Sequence, residues 1–159
     1  KWAGAAGAAE LAYVNKRSLM KYFPAVYVDE AVEYLWEKTA GESLLSIEKE
    51  IKTAWDMEAG AFHNVTKNGV FGALWEMAEM SHAGLEVNFA AIPVRQESIE
   101  ICEQYGVNLY ETDSLGSVLI GTEHGEDLVR RLREEGIPAA IIGRVTDGND
   151  RTICRGAVS

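Results

Sequence analysis

The residues with the most chemical capacity in this chain lie together at His63-Asn64-Val65-Thr66-Lys67-Asn68-Gly69. A short apolar run, Ala61-Phe62-His63, precedes this polar stretch, and a helical pattern opens directly after it. The spacing therefore predicts a loop that joins a buried strand to a helix. A helix N-terminus presents amide protons without intrahelical partners and the positive end of the macrodipole, which suits an anion. Thr66 adds a hydroxyl and Lys67 a positive charge beside that end. The same residues allow a plainer reading, in which Asn64 or Thr66 only caps the helix.

Two further stretches are candidates. Gly4-Ala5-Ala6-Gly7 places two glycines ahead of a helix, where the backbone can approach a phosphate. It matches neither the P-loop nor the dinucleotide fingerprint, and a simple turn accounts for it as well. Asp113-Ser114-Leu115-Gly116-Ser117 precedes an apolar strand; Ser114 and Ser117 either line a cleft or belong to a turn. The candidate nucleotide or phosphate ligands are thus Gly4, Gly7, His63, Asn64, Thr66, Lys67, Asn68, Gly69, Ser114 and Ser117, and no catalytic residue stands out among them. His82 and His124 have no partner at metal-ligand spacing, so no metal site is expected. Cys102 and Cys154 form no CxxC pattern and read as packing thiols. Glu48, Glu50, Glu134 and Glu135 fall on polar helix faces and read as solvated surface, whereas the four tryptophans fall mostly at helical core positions.

The elements that must position these residues follow from periodicity. Glu10 to Phe23 reads as a helix ended by Pro24. Val28, Ala31, Val32, Leu35 and Trp36 make an amphipathic stripe on a second helix, and Leu44, Ile47, Ile51 and Trp55 share a face of a third. Val70, Phe71, Leu74, Met77 and Ala78 line the helix after the central loop. Leu85, Val87 and Phe89 alternate with polar residues as a strand, and Gln96 to Tyr105 is helical up to Gly106. Ser117 to Ile120 is a strand and Glu126 to Glu135 a helix closed by Gly136. Pro138 to Val145 leads a strand that turns at Asp147-Gly148-Asn149-Asp150 into Arg151–Cys154, a hairpin by its spacing. Mixed strands and helices of this kind predict an α+β fold, a mixed α/β two-layer sandwich with helices packed on one face of a mixed sheet.

Composition bounds the function. The 159 residues suffice for one core, and 47% hydrophobic with 25% charged residues is ordinary for a globular chain. Fifteen Lys and Arg against 25 Asp and Glu leave a formal net charge of −10, which repels phosphate backbones, so no nucleic-acid partner is expected. No apolar run approaches the roughly 20 residues that span a bilayer, so no membrane association is expected, and no signal peptide is recognisable. The sparse cysteines and these absences fit a cytoplasmic protein. The chain opens on Lys1 rather than Met and is expected to be part of a longer one.

From His63 to Ala78 the sequence resembles a stretch of the aminoimidazole ribonucleotide (AIR) synthase-related superfamily, which reads His-Asp-x-Thr-Glu-Gly-Gly followed by an apolar helix. Gly84-Leu85-Glu86-Val87, Ile92-Pro93-Val94-Arg95 and Ala139-Ala140-Ile141-Ile142-Gly143 are similar to further segments of that family. Lys1-Trp2-Ala3-Gly4 with Leu11-Ala12 looks like its interdomain segment. The hydrogenase expression/formation branch is the nearest in appearance. The resemblance implies residues 1–9 as the remnant of an interdomain segment and residues 10–159 as the C-terminal domain. It also implies an N-terminal domain outside this chain that supplies much of an ATP and Mg²⁺ site, with neither held tightly by this domain alone. Hydrogenase maturation proteins are the partners it implies, and phosphoryl transfer the chemistry, in which the isolated domain is inactive. A non-catalytic nucleotide-binding or interaction module and a small-molecule kinase of the same superfamily are its alternatives. The sequence departs from the family where charge matters: Asn64 stands for Asp, Lys67 for Glu and Asn68 for Gly. An amide is a poorer ligand than a carboxylate for a hard cation. The tail from Arg155 to Ser159 also lacks the cysteine that ends proteins of the hydrogenase branch.

Overall fold

The computed structural model describes residues 1–39 and 41–155; the tail residues 156–159 fall outside this range. The amphipathic signals become elements in chain order: α1 (Ala5–Leu19), α2 (Ala25–Glu33), the two-residue strands β1 (Lys38–Thr39) and β2 (Glu42–Ser43), and α3 (Glu48–Asp56). There follow β3 (Ala61–Val65), α4 (Gly69–Ser81), β4 (Gly84–Asn88), α5 (Gln96–Gln104), β5 (Ser117–Gly121), α6 (Gly125–Glu134), β6 (Gly143–Thr146) and β7 (Arg151–Cys154). The fold is α+β with mixed strand pairing, as the sequence pattern implies.

Strands β3 and β5 pair antiparallel, with Asn64 opposite Val118 and Val65 opposite Ser117. Strand β4 is the middle of a three-stranded sheet, antiparallel to β6 and parallel to β7. This corrects the expected hairpin: β6 and β7 are split, and β4 lies between them. Residues 147–150 must therefore cross two strand spacings of about 4.8 Å each, and they do so over the start of β4. Gly84 is required there, because a Cβ would stand 2.3 Å from Thr146 Oγ1 and 2.7 Å from the Asp150 carbonyl oxygen. The expected strand from Pro138 shortens to β6, and residues 138–142 carry no ladder.

Leu85 and Val87 of β4 point to one side and join Leu74 and Ala78 of α4 in the main core, while Glu86 pairs with Arg144 on the other side. On the β3–β5 ladder helices cover both faces rather than one. Val65 packs with α4, and Phe62, of opposite parity, packs with Ala54 of α3 and Leu128 and Leu132 of α6.

Other expectations also shift. Helix α1 begins at Ala5, five residues before the expected start, because Ala5, Ala6, Gly7, Ala8 and Ala9 are all buried and their small side chains let the helix pack closely. On α3 the buried positions are Glu50 and Ala54, not the predicted Ile51 and Trp55 face. Trp36, Trp55 and Trp75 are 64%, 71% and 59% exposed and lie outside the core. Each instead leans on a neighbour: Trp36 on Tyr13, Trp55 on Phe62, and Trp75 beneath the Arg151 guanidinium at 4.0 Å. Cys102 is buried as expected, and burial pushes its thiol up to about 11.

Candidate functional site

The loop expected over His63–Gly69 is shorter than its sequence suggests. His63, Asn64 and Val65 belong to β3, and only residues 66–68 turn into α4. The extension follows from the ladder, which pairs β3 with β5 along its whole length. Val65 is 1% exposed and anchors the strand end. Gly69 donates its N–H to the Thr66 carbonyl at 3.0 Å and takes φ +67°. A Cβ on Gly69 would lie 2.4 Å from the Tyr110 carbonyl oxygen, so the tight turn and the close neighbour both require glycine.

The N-terminus of α4 has no side-chain cap. Asn64 is tied into the ladder, and the Asn68 amide points away to Glu76 Oε1 at 3.5 Å. Of the two readings the sequence left open, capping by Asn64 or Thr66 is therefore not what forms. Lys67 is exposed beside this helix end. Glu76, two turns into α4, meets His63 Nε2 at 2.8 Å; this hydrogen bond, with a smaller one from Asn68, holds its carboxyl below the usual glutamate range. Sequence reading did not single out Glu76. Its signal was the spacing of Asn68, Gly72 and Glu76, which stacks them on one helix face.

The remaining candidates converge on the same corner. Ser114 is fully buried; its Oγ accepts from the Gly4 N–H at 2.7 Å and donates to the Thr112 carbonyl at 3.1 Å. The Ser114 N–H in turn donates to the Thr66 carbonyl at 3.2 Å, linking α1, the segment before β5 and the β3–α4 turn. Gly4 caps α1 at φ +66° rather than lying in a loop, and Gly7 is inside the helix, donating its N–H to the Asp113 carbonyl at 2.8 Å. The backbone approach allowed by these glycines is thus used on residues 109–113. Ser117 donates to the Trp2 carbonyl at 3.4 Å. The corner as a whole is one hydrogen-bonded junction. Its residues facing outward are Asn64, Thr66, Lys67 and Asn68.

A second feature was not legible in the sequence. Between β5, β6, α4 and α6 lies a cavity of about 590 Å³. At one end sits an ion pair, Lys1 Nζ to Glu50 Oε1 at 2.6 Å, with side chains only 2% and 5% exposed. Glu50 is therefore not the solvated residue its polar neighbourhood suggests.

The corner suits an anion better than a metal ion. Among the described residues no group of three or more His, Cys, Asp or Glu is placed to hold a metal. Asn64 offers only an amide, and Glu76 is engaged by His63. An uncapped helix end with Lys67 fits a phosphate, so any Mg²⁺ that accompanied a nucleotide would need ligands from elsewhere. Among the described residues no helix is long and apolar enough to cross a membrane.

An α+β domain with a glycine-bearing strand–helix corner is the class these observations define, and comparison with known proteins specifies it. Residues 23–154 match the family model for the AIR synthase related protein, C-terminal domain, and the chain belongs to that family. Among curated proteins, carbamoyl dehydratase HypE of Rhodobacter capsulatus is 28% identical over 88 residues, covering 53% of this chain and 26% of the relative. Among solved structures, a chain of a HypE–HypF complex aligns with TM-score 0.60 and 26% identity, over 67% of this chain and 37% of the other. Hydrogenase maturation protein HypE in complex with ATP aligns with TM-score 0.58 and 25% identity, over 69% of this chain and 33% of the other. The chain thus spans between a quarter and two fifths of the length of these relatives.

Proposed function

We propose that this chain is the C-terminal domain of a hydrogenase expression/formation-like protein and contributes the β3–α4 corner to an ATP-dependent phosphoryl-transfer site. In this reading residues 1–9 lead in from an N-terminal domain, and residues 10–159 are the C-terminal half of a composite site. The observation that carries it is the uncapped N-terminus of α4 with Lys67 beside it, set at the corner where the family resemblance is densest. The likeness to a HypE bound to ATP supports a nucleotide as the anion. In the assembled site the amides of the first α4 turn and Lys67 orient phosphate oxygens, and the His63–Glu76 bond fixes the face behind them. In this reading the second domain would supply the carboxylates that hold Mg²⁺, and the ion would offset the negative charge of phosphoryl transfer. HypF-like maturation proteins are the partners this reading favours.

Incubating the full-length protein with ATP, Mg²⁺ and carbamoyl or other oxygen acceptors tests the proposal. ATP turnover by the full-length protein and none by the isolated domain is expected. Absence of both turnover and calorimetric ATP binding would overturn it.

A second reading is favoured by Asn64 and Lys67, an amide and an ammonium where the family resemblance implies carboxylates. In it the corner binds nucleotide without catalysis. Its mark is ATP binding without turnover, with Mg²⁺-dependent affinity raised by the double substitution Asn64→Asp and Lys67→Glu.

A further inference from the structure

We propose that Asn68 is a modification site, at which the side-chain amide is lost in the folded protein through a local opening of the β3–α4 turn. Of the six asparagines in the chain, only Asn68 is followed by glycine. The others precede Lys16, Val65, Phe89, Leu109 and Asp150. Deamidation begins when the main-chain nitrogen of the next residue attacks the side-chain amide carbon, and a glycine, without a Cβ, hinders that approach least. The fold holds glycine at this place, because φ +67° and the Tyr110 carbonyl oxygen, 2.4 Å from where a Cβ would stand, both exclude a side chain. Asn68 is also exposed, so water and hydroxide reach it. In the reaction hydroxide takes the Gly69 amide proton, and the nitrogen bonds to Asn68 Cγ. The Cγ–Nδ2 bond then breaks, and ammonia leaves with a proton returned from water. Water opens the resulting five-membered imide at either carbonyl, which leaves aspartate or isoaspartate at position 68 and one more negative charge.

The closed turn holds this reaction back. Asn68 has ψ 5°, which turns the Gly69 nitrogen away from the Asn68 Cβ, and the Gly69 N–H is bonded to the Thr66 carbonyl at 3.0 Å. Ring closure therefore waits on rotation about the Asn68 Cα–C bond. That rotation gives up the Gly69–Thr66 bond, the 3.3 Å bond from the Gly72 N–H to the Asn68 carbonyl, and the 3.5 Å contact of the Asn68 amide with Glu76. The Ser114 N–H keeps its own bond to the Thr66 carbonyl, so the junction beneath the turn stays closed. Two ordinary hydrogen bonds slow the reaction by about 10- to 100-fold relative to the unfolded chain, whereas a need for global unfolding slows it by about 1,000-fold or more. The product puts a carboxylate at the positive end of α4, beside Lys67. In the nucleotide reading, on which this consequence alone rests, that carboxylate takes the place of a phosphate and repels it, so the modification closes the corner to ATP.

The test is incubation of the full-length protein at mildly alkaline pH, in native buffer and in guanidinium chloride, with peptide mass spectrometry following the amide-to-acid mass gain at each asparagine. Asn68 is expected to convert first in native buffer, at a rate about 10- to 100-fold below that in denaturant. Asn68→Gln, whose longer side chain disfavours ring closure, should remove the signal. Conversion of another asparagine first, or slowing at Asn68 by more than about 1,000-fold, would overturn the proposal. The consequence for the corner is read separately, by calorimetric titration of ATP into the aged protein and into the Asn68→Asp variant. Affinity should fall about fivefold or more in both. If Asn68 converts at the expected rate while the variant binds ATP as the unmodified protein does, the modification site stands and the nucleotide reading fails.

Discussion

Ser114→Ala tests how the candidate corner is held. The side chain is 0% exposed, so alanine leaves almost no cavity and the change isolates hydrogen bonding. Two bonds vanish, the one accepted from the Gly4 N–H at 2.7 Å and the one donated to the Thr112 carbonyl at 3.1 Å. An ordinary hydrogen bond contributes about 1 kcal/mol net, but a buried donor left without a partner costs about 1–3 kcal/mol. Gly4 has no other acceptor at hand, because its N–H heads the first turn of α1. The sum is about 3 kcal/mol. In a chain of this size each kcal/mol moves Tm by about 2–4 °C, so a fall of about 6–12 °C is expected. Urea unfolding checks the free energy directly, provided the m-value is unchanged. Ser46→Ala is the control: its hydroxyl accepts a weaker bond from the Glu48 N–H at an exposed site, and its loss should stay within about 0.5 kcal/mol. A Ser114→Ala cost below about 0.5 kcal/mol would refute the reasoning that this serine joins α1 to the β3–α4 turn.

Other expectations follow from the same geometry. Gly84→Ala forces the 147–150 crossing off β4 and should cost about 3 kcal/mol or more, while Gly41→Ala, with φ +82° but open space around it, should cost about 1 kcal/mol by thermal unfolding. Glu50→Ala leaves the Lys1 ammonium buried without its carboxylate and should destabilise by about 3–5 kcal/mol, against under 0.5 kcal/mol for the exposed Glu48→Ala. Glu76 titrates below the ordinary glutamate range, so its contribution to stability is present above the unfolded pKa and is lost as pH falls through the lowered folded value. His63→Ala should return that carboxyl toward the ordinary range in a carbon-13 NMR titration. With its thiol at about 11, Cys102 is almost wholly protonated at pH 8, and iodoacetamide should label it about 100-fold more slowly than an ordinary cysteine until the chain unfolds.

Where periodicity was strong, the fold was legible. Val28, Ala31 and Val32 on α2, Leu128 and Leu132 on α6, and Leu85 and Val87 on β4 are all buried as their spacing implies. The start of α1 was hidden because alanines and glycine carry little hydrophobic signal, although their smallness is what buries them. The split of β6 and β7 was illegible for a different reason. The Asp147–Asp150 turn residues are those of a hairpin, and only a third strand distant in sequence decides that β4 inserts between them. The tryptophans misled because a bulky ring at helical spacing signals a core, yet Trp75 satisfies itself on the outside against Arg151. The convergence of the β3–α4 corner with Gly4 and Ser114 was illegible, because it depends on contacts more than 40 positions apart. Glu50 was hidden because a charged residue among charged neighbours reads as surface until its partner, Lys1, is seen.

The placement of a phosphate at the β3–α4 corner is tested most directly by calorimetric titration of ATP into the full-length protein and its Lys67→Ala variant. Lys67 is exposed and its removal should leave Tm unchanged. The account predicts saturable ATP binding that weakens about fivefold or more in the variant, the effect of one lost charge-assisted contact of about 1 kcal/mol. Equal affinity in the two proteins, or no binding in either, would contradict it.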